Sequence, residues 1–268
     1  MCGIFGWQWV PKRDALLGAQ QRHDLAVALA ALNDSRGGDS WGLVTRQGTQ
    51  RGLGLLSRSS DAVATLARAG QVLAHTRLAT TGDVTLANAH PLRSGRILGA
   101  HNGMLSNDTT LNIRHGRTCA VDSEHIFAHL DEGLPLSEIQ GYGAAWWVED
   151  TKERSPRLVR FTGGTLAVGS AKGIGVVFSS VEAHLKIAAA AAGVSLDMYQ
   201  ELEAGRHYIL SAGELWSTEN VTDLSPMDTK QTYRFADWRS ILASETGTEW
   251  DDADTDDSGK LLFQPSWA

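Results

Sequence analysis

Cysteine is nearly missing from this chain: Cys2 and Cys119 are the only two in 268 residues, which excludes a disulfide framework and suits a reducing compartment. No stretch approaches the roughly 18 apolar residues of a membrane span, and Lys12, Arg13 and Asp14 interrupt any early apolar run. Neither a membrane anchor nor a signal peptide is expected, and the expected location is cytoplasmic. Basic clusters are lacking too. With 24 Lys+Arg against 31 Asp+Glu the formal net charge is -7, the wrong balance for a surface that neutralises phosphates, so no nucleic-acid partner is expected. The nine histidines make no recognised ligand spacing with the cysteines, and HExxH and CxxC are absent, so no metal is expected. The glycine-rich residues 36–42 lack both the Lys-Ser/Thr ending of a P-loop and the GxGxxG order, which leaves no expected nucleotide or other cofactor.

What is there is 42% hydrophobic and 21% charged, enough to bury the core of one large domain. Apolar runs at 2–9, 71–79, 97–101 and 141–149 predict strands. Strand-hairpin pairs are expected around 157–161, 165–169 and 175–179, and a late hairpin from 208–210 and 214–217 about Gly213. Residues 14–32 are rich in alanine and leucine at helical spacing and end at 34–38, while 181–192 predicts a second helix. These blocks alternate without a regular βαβ repeat, so the physics alone says α+β. The pattern changes after about Ser225. There a short helix at 238–242 and an acidic run at 249–257 are expected, the latter a solvated or disordered tail because it lacks EF-hand spacing. Leu261-Leu262-Phe263 and Trp267 are candidates for docking on a partner.

The residue that carries chemistry is Cys2, in Met1-Cys2-Gly3-Ile4-Phe5-Gly6. Removal of Met1 places a thiol and a free amine on one residue, a nucleophile with its own base: the reference values are about 8.5 for the thiol and about 7.7–8.0 for the amine. The competing reading is a small hydrophobe opening a buried strand. Downstream lie Arg36-Gly37-Gly38-Asp39-Ser40-Trp41-Gly42, His75-Thr76-Arg77-Leu78-Ala79-Thr80-Thr81-Gly82, Asn88-Ala89-His90-Pro91, His101-Asn102-Gly103 and Asp122-Ser123-Glu124.

In order, spacing and identity these motifs resemble the class II glutamine amidotransferases, N-terminal-nucleophile hydrolases, and within them the glutaminase domain of glucosamine-6-phosphate synthase. The resemblance runs from Cys2 to about Leu210, with weaker echoes at 163–169 and 202–205. It implies a four-layer αββα sandwich, with a glutaminase domain over 2–225 and a C-terminal extension over 226–268. It implies that Cys2 attacks the side-chain amide of L-glutamine to give a thioester and ammonia. The oxyanion donors would be the Asn102 side chain and the Gly103 N–H. Arg77 would fork onto the substrate carboxylate and Asp122 would take its ammonium, with Thr80, Thr81, Gly82 and His90 forming the rest of the substrate site. Taken singly, Asp122-Ser123 also reads as a helix N-cap and Asn102-Gly103 as a hairpin turn. His75, His90 and His101 are expected to orient loops by hydrogen bonds.

The chain departs from its nearest branch at Leu78, where tryptophan is usual, and at Thr81, where histidine is usual. It is also too short for a synthase or isomerase domain of the usual size, so the expected ammonia acceptor is a separate synthase subunit, with the oligomeric state left open. Two other readings stand beside this one. One is an inactive glutaminase-fold binding protein with Met1 retained, the other an N-terminal-nucleophile acylase on a different amide.

Overall fold

Side-chain alternation sets the layering. In strand β1 (Gly3–Trp9) Phe5 and Trp7 enter one core while Ile4, next to Phe5, enters another, because successive residues of a strand point to opposite faces. The computed structural model describes residues 2–11, 16–80, 82–150 and 155–227. The expectations for Met1, Thr81 and the 238–242, 249–257 and 261–267 segments lie outside the described residues.

Two antiparallel sheets carry the fold. The first has seven strands, in the order β11 (Met198–Glu201), β9 (Ala167–Ala171), β10 (Gly175–Ser179), β1, β4 (Gln71–Arg77), β2 (Ser40–Thr45), β3 (Thr49–Leu53). The second has six, in the order β13 (Glu214–Val221), β12 (Arg206–Ser211), β8 (Arg157–Arg160), β7 (Gly141–Glu149), β6 (Ile97–Leu105), β5 (Leu92–Ser94). On the first sheet pack α1 (Ala19–Asp34), α2 (Ser60–Arg68) and α5 (Glu182–Ala191). Their Leu25, Leu29, Leu66 and Leu185 meet Phe5, Trp7, Val72 and Ala74. On the far face of the second sheet lie α3 (Asp108–His115) and α4 (Glu124–Glu132), whose Leu111, Ile126 and Phe127 meet Ile97, Trp147 and Val159. Between the sheets Ile4, Leu73 and Phe178 pack against Leu98, Ala100 and Trp146. Three cores therefore separate four layers, the expected αββα sandwich.

Several expected boundaries move. The first helix begins at Ala19, behind Gly18 whose N–H is accepted by the Gln21 side chain at 3.1 Å, and residues 12–15 lie outside the described set. Strand β6 runs on to Leu105, so Asn102-Gly103 is strand and not a hairpin turn. Ser123 is the residue before α4 but makes no side-chain cap bond. Strands β3, β5 and β11 and helix α3 have too little periodic signal of their own to be read in advance; helix α2, with Ser59 capping it and Ala62 and Leu66 buried four positions apart, carried a helical signal that the reading missed. Among the described residues no helix is long and apolar enough to cross a membrane.

Candidate active site

Cys2 stands at the mouth of the central strand of the first sheet, and four contacts hold it there. Arg36 Nε donates to the Cys2 carbonyl at 2.8 Å, and the thiol donates to the Leu78 carbonyl at 3.4 Å. Two residues on, the Ile4 N–H donates to Ser180 Oγ at 3.2 Å and the Ser180 N–H to the Ile4 carbonyl at 2.8 Å. Gly3 is required between them, since a Cβ there would lie 2.7 Å from both Asn33 Oδ1 and Thr76 Oγ1. Burial raises the Cys2 thiol above its ordinary range; the charge on Arg77 opposes this and that on Asp122 adds to it.

The second sheet supplies the opposite wall. Asn102 and Gly103 pair with Ala144 and Gly143 in the β6–β7 ladder. A Cβ at position 103 would come within 2.0 Å of the Tyr142 carbonyl and 2.4 Å of His101 Nε2, so only glycine lets the strand lie this close. The cleft between the sheets measures about 610 Å³ and is lined by Cys2, Thr80, Asn102 and Gly103 among others. That is the size of a small-molecule site.

Of the remaining expected residues, Arg77 and Asp122 lie near enough for their charges to act on the Cys2 thiol. Arg77 is buried, and its guanidinium donates to the carbonyls of Asp83 at 3.1 Å and Gly82 at 3.3 Å, which pins the following loop. Gly82 takes φ +73°, and a Cβ on it would meet the Ala120 carbonyl at 2.7 Å. Asp122 is also buried: its carboxylate accepts the Leu105 N–H at 2.9 Å and the Ser123 N–H at 2.8 Å, tying the end of β6 to the start of α4. His90 does not line the cleft. Its ring is buried against His75, centroids 4.1 Å apart, because the chain at His90-Pro91 folds inward over Gly42. His101 bridges loops as expected, with Nδ1 3.0 Å from Ser123 Oγ and Nε2 3.1 Å from the Tyr142 carbonyl. The His90 ring has no hydrogen-bond partner, while the His75 ring has only the His101 backbone beside it, so the expectation of loop-orienting hydrogen bonds is clear for His101 and fails for His90. Thr81 lies outside the described residues.

The geometry is that of a thiol facing an amide side chain and a close-packed glycine across a cleft. Half of the chain, residues 22–155, matches the family model described as "Glutamine amidotransferases class-II". The chain belongs to this family. Among curated relatives, it is 34% identical over 147 residues to an amidophosphoribosyltransferase from Rhizobium etli, covering 48% of this chain and 27% of the relative. It is 29% identical over 211 residues to the glutamine–fructose-6-phosphate aminotransferase (isomerizing) of Aliivibrio fischeri, covering 70% of this chain and 33% of that one. The chain thus spans about a quarter to a third of the length of these relatives. Among solved structures, one described as the allosteric regulatory enzyme of purine biosynthesis superposes with a TM-score of 0.59 at 22% identity, over 82% of this chain and 50% of that one. At that identity the likeness shows the fold.

Within this class II glutamine amidotransferase, some cleft residues escaped the reading of the sequence. Tyr142, Ser180, Glu182 and Glu201 all line the cleft. None sits in a motif: Tyr142 and Glu201 arrive there by strand pairing between distant segments, and Ser180 and Glu182 at the turn from β10 into α5. Gly164 does sit in a glycine-led run, and it lies against Gly143: a Cβ would be 1.9 Å from the Gly143 carbonyl. The role of Asp39 in the 36–42 motif is also now visible. Its carboxylate accepts the Ala79 N–H at 2.7 Å and its N–H donates to the Arg77 carbonyl at 3.0 Å, so the loop carries the segment beneath the thiol.

Proposed function

We propose that this protein hydrolyses the side-chain amide of L-glutamine at Cys2. The observation that carries the reading is that Cys2 shares one cleft with Asn102 and Gly103. With Met1 removed, the Cys2 α-amine accepts the thiol proton and the sulfur attacks the amide carbon. The Asn102 side-chain amide and the Gly103 N–H stabilise the tetrahedral oxyanion, the amide nitrogen leaves as ammonia with the transferred proton, and water cleaves the γ-glutamyl thioester. Arg77 holds the substrate carboxylate and Asp122 its ammonium, with Thr80, Thr81 and Gly82 closing over the amino-acid backbone. The catalytic domain comprises residues 2–225, and residues 226–268 extend it.

The ammonia goes to an acceptor carried by a partner. The relatives named above aminate a phosphoribosyl group or fructose 6-phosphate, and a comparable acceptor is proposed here, in a reducing cytoplasm where the Cys2 thiol stays free.

The test is purified protein incubated with glutamine while glutamate and ammonia are followed, beside an intact-mass measurement. Turnover by the species lacking Met1, lost in Cys2→Ala, is expected. Equal rates for wild type and Cys2→Ala, or full turnover by protein that retains Met1, would overturn the assignment. Glutamine should also protect Cys2 from alkylation; no protection would favour a different amide.

A further inference from the structure

On the outer face of the second sheet, away from the Cys2 cleft, three side chains converge that the glutaminase chemistry does not use. His115 closes α3, His129 lies in α4 and Glu138 ends a single 3-10 turn, Leu136–Glu138. One ligand atom from each lies within 4.8 Å of the other two. His115 Nε2 stands 3.1 Å and His129 Nε2 3.8 Å from the same oxygen, Glu138 Oε2. Ligands about 2.0–2.2 Å from a tetrahedral ion stand roughly 3.4 Å apart, which these two edges bracket.

Two groups meet His129 Nδ1: the His125 carbonyl at 2.8 Å, which only accepts, and Arg117 Nη1 at 3.1 Å, which only donates. The shorter contact, to the carbonyl, puts the proton on Nδ1 and leaves Nε2 its lone pair; Arg117 Nη1 then donates to His125 Nδ1 at 3.3 Å, and its Nη2 pairs with Glu132 at 2.8 Å. His129 is completely buried, yet Nε2 has no hydrogen-bond partner. A buried imidazole whose far nitrogen is fixed on a carbonyl, with its near nitrogen bare and aimed at a carboxylate and a second imidazole, is the arrangement of a metal ligand. Among the described residues the other charged group paired with the carboxylate is Arg114, 3.7 Å from Glu138 Oε2 and more than half exposed, so it can swing into solvent.

We propose that His115, His129 and Glu138 form a divalent transition-metal site of the zinc type, two imidazoles and a carboxylate with a fourth position for water. Two nitrogens and one oxygen suit Zn²⁺ or Co²⁺ better than Mg²⁺ or Ca²⁺, which prefer all-oxygen shells. The role is structural. The ion ties α3, α4 and the segment entering β7 together, clamping the 116–123 linker that carries Asp122. The same end of the fold is already laced by Asn107, whose side chain bonds the Glu138 carbonyl and the Gln140 N–H, each at 2.9 Å. His115 and Glu138 are 23 positions apart, which explains why no ligand spacing is visible in the sequence.

The test is independent of glutamine turnover. Chelator-stripped full-length protein is titrated with Co²⁺ and its visible ligand-field bands are read, then Zn²⁺ is added in competition and the melting temperature is recorded. Expected are intense tetrahedral bands saturating at one ion per chain, their displacement by Zn²⁺, and a higher melting temperature with Zn²⁺. His115→Ala and Glu138→Gln, at positions exposed enough to fold, should each weaken binding by at least about tenfold. A chain with both cysteines replaced should keep the bands. Absence of tetrahedral bands, unchanged binding in both variants, or loss of the bands with the cysteines would overturn the proposal.

Discussion

Arg36 Nε donates to the Cys2 carbonyl at 2.8 Å, so the residue that bears the sulfur is gripped by a side chain 34 positions away. A chain terminus left to itself frays. Here the first strand is seated between β10 and β4, and Arg36 fixes the last peptide before it. The same motif, through Asp39, fixes Ala79 just past the Leu78 carbonyl that faces the thiol.

Removing that grip should cost rate more than stability. Arg36→Ala is expected to lower kcat for glutamine hydrolysis by up to about 10²-fold, because a displacement of the nucleophile near 1 Å has that effect. Steady-state kinetics beside a thermal melt check it. Unchanged kinetics would remove Arg36 from the positioning of Cys2.

Asn102→Ala deletes a proposed oxyanion donor while Gly103 remains. A loss of about 10²–10³ in kcat is expected, with KM nearly unmoved, since the donor acts where charge develops. A rise in KM alone would place Asn102 in ground-state binding instead.

Gly103→Ala forces a methyl into the 2.0 Å gap before the Tyr142 carbonyl, which belongs to the backbone of a paired strand and cannot swing aside. Overpacking of this kind typically costs about 1–3 kcal/mol. Denaturant unfolding should show it as a lower midpoint at constant slope; a wild-type midpoint would mean that the β6–β7 ladder is looser than described.

Acid should destabilise the protein before its carboxylates titrate. Burial lowers His75 from 6.5 to about 3, and also lowers His90 and His101. The unfolded chain binds protons that the native state refuses, so the stability these groups contribute is present above 6.5 and is lost as pH falls toward the folded values. Each such histidine removes about 1.4 kcal/mol per pH unit inside its window. Urea midpoints measured from pH 7 down to about 5, where most carboxylates stay ionised, should fall steadily. A flat profile there would mean that the three rings accept protons in place.

Much of the fold was readable because its signal is local. Residues 141–149 alternate between two cores, Ala144, Trp146 and Val148 on one side and Ala145 and Trp147 on the other, and the observed β7 has those bounds. Strand β3 was not readable: its residues are half-exposed or exposed and its place at the sheet edge is set by pairing with β2. Asn102-Gly103 shows the same limit from the other side. As a dipeptide it favours a turn, and the nine-residue ladder with β7 overrides that preference.

By itself the sequence determined the family, the thiol at position 2 and the order of the motifs, since those are properties of identity and spacing along one chain. Tertiary structure alone decided which of those residues share a cleft. It put Cys2, Asn102 and Gly103 on facing sheets, turned His90 into the core, and gathered His115, His129 and Glu138 on the opposite side of the second sheet. The reason is physical: distances between side chains follow from strand register and from which face of each sheet is buried, and both are settled by long-range packing that no local window contains.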